Sequence, residues 1–298
     1  MKSTACWYWL ELRLPGWWSR KRIWSSISSG WWTWKETWPM NNLPDMVWIE
    51  YRKAIRSGLP LWTALGSLFM PFGIAFLIFV ARNPEISRQL GLISVKANLM
   101  AYAGTDWQTY LVFFSQIIAA GGFIFFILII SWVFGREFAD GTVKDLLAVP
   151  VPRVTILLAK FIVVTVWSAV LAVVIFSAGL VMGRMMNLPG GSIEIVFQGA
   201  ALVAVTTMLV IGVVTPFALF ASIGRGYLLP VGMAILTLMA ANLLVVAGWA
   251  EYFPWSIPGM FALAKSPLAP VSYLIVICTG LAGMIATHLW WMYADQNR

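Results

Sequence analysis

The chain has 298 residues, 60% of them hydrophobic and 11% charged, with a formal net charge of +8 and a mean hydropathy of +0.82. So little charge over so long a chain excludes a water-soluble globular domain and points to a polytopic membrane protein. The positive balance fits basic loops on one membrane face without a nucleic-acid partner, and the two cysteines, Cys6 and Cys278, make neither a disulfide framework nor a metal site.

Residues 1–45 form a Trp-rich extension in which Trp17, Trp18, Trp24 and Trp31 are interleaved with Arg20, Lys21 and Arg22. It holds no uninterrupted apolar run, so it is neither a signal peptide nor a span. Two readings stay open: an interfacial anchor, or a start assigned ahead of Met40 or Met46. The membrane domain is expected over 46–298.

Met46 to Ser57 mixes Val47, Trp48, Tyr51 and Ile55 with Glu50, Arg52, Lys53 and Arg56, the composition of an amphipathic helix lying on a membrane. Its basic residues place it in the cytoplasm. The first span is expected from Leu59 to Ala81, with Pro71 kinking it. An external loop follows to Thr109, then a second span over Leu111 to Val133. The stretch Phe134 to Lys160 is polar and separates two apolar runs, so it is a loop on one face. The third span runs from Val154 to about Gly183, where Lys160 is expected to snorkel to the interface. The fourth runs from Val196 to Ile223 with a kink at Pro216, and the fifth from Tyr227 to Ala247, where Asn242 is expected to hydrogen-bond a neighbouring helix. Prolines and aromatics from Trp249 to Pro270 mark an outer re-entry region. The last span, Val271 to Tyr293, places His288 at the interface. The fold class is therefore all-α and polytopic: six transmembrane helices, an amphipathic N-terminal helix and a cytoplasmic helix between spans two and three, with both ends in the cytoplasm.

Inside the polar stretch, Glu137 to Val149 has a helical pattern with Phe138, Val143, Leu146 and Leu147 on one side. Gly135 and Gly141 weaken its interior, Pro150 and Pro152 end it, and Glu137 and Asp140 fall near its N-terminus, where acidic groups are favoured. The alternative is a solvated inter-helix loop. The segment from Gly135 to Lys160 resembles the cytoplasmic signature of permease subunits of type-2 ABC exporters, through Glu137, Phe138, Gly141, Thr142, Lys144, Leu146, Leu147, Pro150, Arg153 and Lys160. GRGYLLP at 224–230 and YFPWSIPGMFA at 252–262 resemble the bacitracin-export and lantibiotic-immunity branch of that family. The resemblance covers about Met46 to Arg298. It implies that Glu137, Phe138, Asp140, Gly141, Thr142, Lys144, Leu146, Leu147 and Arg153 couple the spans to an ATPase subunit. It also implies a homodimer of permease chains.

No G-x-x-x-x-G-K-[ST] stretch occurs in the sequence, so any ATP and magnesium belong to a partner ATPase chain. A single histidine with no H-E-x-x-H and no G-x-S-x-G argues against an intramembrane enzyme. An ion-coupled carrier or channel, for example for sodium efflux, would be expected to carry a charged group in mid-membrane, where these spans are nearly all apolar. The sequence is thus read as an exporter permease of a bacterial cytoplasmic membrane, with no catalytic residue, cofactor or metal of its own. Its partners are the ATPase, a second permease chain and the lipid bilayer, and its substrate is an antimicrobial peptide or drug.

Overall fold

The structure, a computed structural model, describes residues 43–82, 106–143, 146, 151–263 and 268–293. The Trp-rich extension lies outside the described residues. Every regular element among the described residues is helical: α1 (Leu43–Arg56), α2 (Leu59–Arg82), α3 (Trp107–Ile117), a π-helical turn (Ile118–Gly122), α4 (Phe123–Ala139), α5 (Arg153–Met185), α6 (Ile193–Val214), α7 (Phe217–Ile223), α8 (Leu228–Val246), a 3-10 turn (Ala250–Tyr252), α9 (Ile257–Ala262) and α10 (Pro270–Tyr293). Among the described residues, six stretches are long and apolar enough to cross a membrane: Leu59–Val80, Trp107–Ala139, Arg153–Met185, Ile193–Ile223, Leu228–Val246 and Pro270–Tyr293. These match the six runs expected, because a single apolar segment in lipid satisfies its backbone polar groups within itself by coiling into a helix.

Helix α1 begins at Leu43 and turns two different faces outward and inward. Met46, Glu50 and Ala54, four residues apart, are buried, while Trp48, Tyr51 and Ile55 are exposed. The buried face packs on α5, which also receives α2.

The centre of the bundle is the α3–α4 rod, whose Phe114, Ile118, Phe126, Ile130 and Phe134 are almost fully buried. It is not one continuous α-helix: the π turn at Ile-Ala-Ala-Gly-Gly widens it in the middle. The fourth span breaks where Pro216 removes a backbone donor. Thr215 Oγ1 lies 2.9 Å from the Gly212 carbonyl, and Trp255 Nε1, from the segment that folds back between α8 and α10, donates to the Val213 carbonyl at 2.9 Å. Carbonyls at the break thus find donors inside the protein, which non-α backbone at membrane depth requires. Asn242 corrects an expectation. Its side chain is exposed and donates to Leu238 of its own helix at 2.8 Å, so it satisfies itself one turn back and does not bridge helices.

Candidate functional site

The polar stretch folds differently from the pattern expected of it. Glu137 and Phe138 do not open a new helix; they form the last turn of α4, which runs on to Ala139. Asp140 caps that helix, and Gly141 adopts a left-handed φ of 70°. The amide of Thr142 donates to the Glu137 carbonyl at 2.9 Å and that of Gly141 to the Phe138 carbonyl at 3.3 Å, the paired bonds of a Schellman ending, in which glycine pays no Cβ penalty. Gly141 therefore ends a helix and does not weaken one. The N-terminal dipole argument for Glu137 fails with it, since a carboxylate at a helix C-terminus faces the negative end. A new turn starts after Thr142, whose carbonyl accepts from the Leu146 amide at 3.1 Å. Lys144 and Leu147 lie outside the described residues.

What holds Glu137 at that unfavourable end is Lys160. The lysine is 1% exposed, so it does not snorkel. Its ammonium uses all three of its donors: Glu50 Oε2 at 3.1 Å, the Val133 carbonyl at 3.1 Å and Glu137 Oε1 at 2.9 Å. Lys53 completes a neutral quartet, reaching Glu50 Oε1 at 2.8 Å and Glu137 Oε1 at 3.2 Å. Glu50 and Glu137 are 5% and 6% exposed. Burial alone would raise the Glu50 carboxyl, but the ammonium groups of Lys160 and Lys53 outweigh it and hold its pKa below the ordinary 4.5. The quartet ties α1, α4 and α5 together at one point.

A second tie lies beside it. Arg153 Nη1 donates to the carbonyls of Trp291 and Met292 at the end of α10, capping carbonyls that a helix terminus leaves unpaired. Trp291 is fully buried; its Nε1 donates to Ser222 Oγ at 3.0 Å and its ring meets Phe138 edge-on at 5.6 Å. Phe138 and Leu146 are both half-buried and pack against the core. Among the described residues of the stretch, Ala139, Asp140, Gly141 and Thr142 are exposed. Among the described residues Asp140 is bonded along its own helix, to Arg136 Nε at 3.2 Å.

The structure thus divides the expected set. Glu137 and Arg153 are internal ties, Phe138 and Leu146 are packing residues, and Asp140, Gly141 and Thr142 form an exposed tip. Sequence reasoning missed Glu50 and Lys53 as partners of this site, although their sign pattern within an otherwise interfacial helix was visible. Among the described residues no cluster of His, Cys, Asp and Glu could hold a metal ion.

Comparison with known proteins gives the family. Residues 46–242 match the ABC-2 family transporter proteins. The bacitracin transport permease protein BCRB of Bacillus licheniformis is 23% identical over 173 residues, which are 56% of this chain and 82% of that protein. No solved structure matches.

Proposed function

The chain belongs to the ABC-2 transporter family, and from that premise we propose that it is the membrane subunit of an exporter that moves an amphipathic antimicrobial peptide, of the bacitracin kind, with energy from a separate ATPase chain. Similarity to a bacitracin transport permease supports the substrate class. Two permease chains and two ATPase chains form the working unit. The basic end, with Arg136, Arg153 and Arg225, faces the cytoplasm, together with both chain termini. Residues 46–298 form the transport domain, and the Trp-rich extension is dispensable to it.

The observation that carries the coupling step is the contrast between the exposed tip at 139–142 and the buried quartet directly behind it. ATPase closure presses the tip; Glu137, one turn inward, passes the displacement through Lys160 to α5 and through Glu50 to α1. Those helices then move as a unit, which suits a switch between two packed states. ATP and magnesium stay on the ATPase.

Two substitutions at the tip test this reading. Asp140→Lys and Thr142→Trp are expected to cut peptide-stimulated ATP hydrolysis of the purified complex at least roughly tenfold, about 1.4 kcal/mol of coupling. The permease should retain its own melting temperature, since neither side chain is buried. Full stimulation in both variants would move the contact elsewhere. Topology gives an independent check: with Cys6 and Cys278 replaced, a single cysteine at position 265 should label with an impermeant thiol reagent in intact cells, and one at 225 should not. Labelling at 225 would reverse the orientation.

A further inference from the structure

At the basic end, a cavity of about 300 Å³ opens between α2, α4 and the start of α8, walled by Leu59, Trp62, Phe125, Leu128, Trp132 and Tyr227. Ser131 also lines it. That serine is 1% exposed, and its hydroxyl has no hydrogen-bond partner among the described residues. A buried hydroxyl in a hydrocarbon layer has no water to turn to, so an unfilled one marks a place for an acceptor.

A cation lies behind one wall residue. The Arg136 guanidinium lies over the Trp132 ring, 4.9 Å from its centroid; its Nε is paired with the Asp140 carboxylate at 3.2 Å, and its Nη1 is buried and unpaired among the described residues. On a helix rising ~1.5 Å per residue, Arg136 sits roughly 7.5 Å nearer the helix end than Ser131. Arg56, exposed, precedes the lining Leu59 and adds positive charge on the same side. The order from the helix end inward is therefore guanidinium, hydroxyl donor, aromatic and aliphatic wall. That order matches the phosphate, ester carbonyl and acyl chain of a membrane lipid.

We infer that this cavity holds one anionic glycerophospholipid, its phosphate against Arg136, an ester carbonyl accepting from Ser131 Oγ, and an acyl chain along Trp62, Phe125 and Leu128. Trp132 is the pivot: it stacks under the guanidinium and forms the wall between head and chain. The site rests on Arg136 lying at headgroup depth and not on the transport reading, so the two fail separately.

Native mass spectrometry of the full-length chain, titrated with dioleoylphosphatidylglycerol or dioleoylphosphatidylcholine, tests it. One phosphatidylglycerol should be retained with a preference of roughly fivefold over phosphatidylcholine, the worth of one basic residue beside an anionic headgroup. Arg136→Gln should abolish the preference, and Ser131→Ala should weaken both lipids while Ser131→Thr restores them. Leu128→Trp, which fills the cavity from a wall residue that is 39% exposed, should exclude both lipids. If that variant does not purify as a monodisperse species, Trp62→Ala, at a position 72% exposed, should lower retention of both. Equal retention of the two lipids by the unaltered chain, or undiminished retention in the wall variants, would overturn the assignment. Displacement by inorganic phosphate would reassign the site to a free anion, and displacement by bacitracin would make it a peptide site; either result overturns the lipid.

Discussion

Lys160→Met is expected to lower the stability of the purified chain by about 3–5 kcal/mol, because it leaves two buried carboxylates sharing only the part-exposed ammonium of Lys53. Methionine nearly matches the lysine stem in length, so packing loss contributes little. The effect should be electrostatic, and that can be tested. In the triple variant Lys160→Met, Glu50→Gln, Glu137→Gln the two carboxylate charges are gone, and most of the lost melting temperature should return, since replacing a whole buried ionic group is far gentler than removing one member. Thermal unfolding in detergent, followed by circular dichroism, reads both. A single variant that melts with the unaltered chain would show that the quartet holds nothing together. A triple variant no better than the single one would make the loss a packing defect.

The same quartet sets an acid limit. The folded-state pKa of Glu50 is depressed below 4.5, so its contribution is fully present above that value and is lost as pH falls through the folded pKa. Stability of the unaltered chain should therefore drop on acidification below pH 4.5, and Glu50→Gln should flatten that dependence.

Trp291→Ala carries the second large effect. Trp291 is the largest fully buried side chain among the described residues, and truncating it leaves a cavity between α7, α10 and the end of α4, worth about 3–5 kcal/mol. Phe138 loses its edge-on partner. Ser222 keeps its bond to the Ala218 carbonyl at 2.8 Å, so no buried donor is orphaned and the loss belongs to packing. Trp291→Phe separates the two contributions: the ring volume is largely kept, only the Nε1 hydrogen bond goes, and the cost should fall to about 1 kcal/mol. If Trp291→Phe is as damaging as Trp291→Ala, the hydrogen bond to Ser222 matters more than the ring.

The sequence by itself determined the number, order and approximate limits of the spans, because each apolar run satisfies its backbone within itself and needs no distant partner to become a helix. It also placed the breaks at Pro216 and around Trp249 to Pro270, where missing donors act locally. The polar stretch was legible as a family signature but not as a structure. Whether Gly141 sits within a helix or ends one depends on the two amide bonds that close over Glu137 and Phe138, and composition alone permits either. Lys160 shows the limit most plainly. A lysine one or two turns inside a span can snorkel or be buried, and the choice falls to whichever groups face it. One of those groups, Glu50, lies 110 positions away in the chain, on a helix whose outer face alone accounts for its interfacial composition. Only the packing of α1 against α5 brings carboxylate and ammonium together, and that packing turned an apparent surface charge into the internal tie behind the exposed tip.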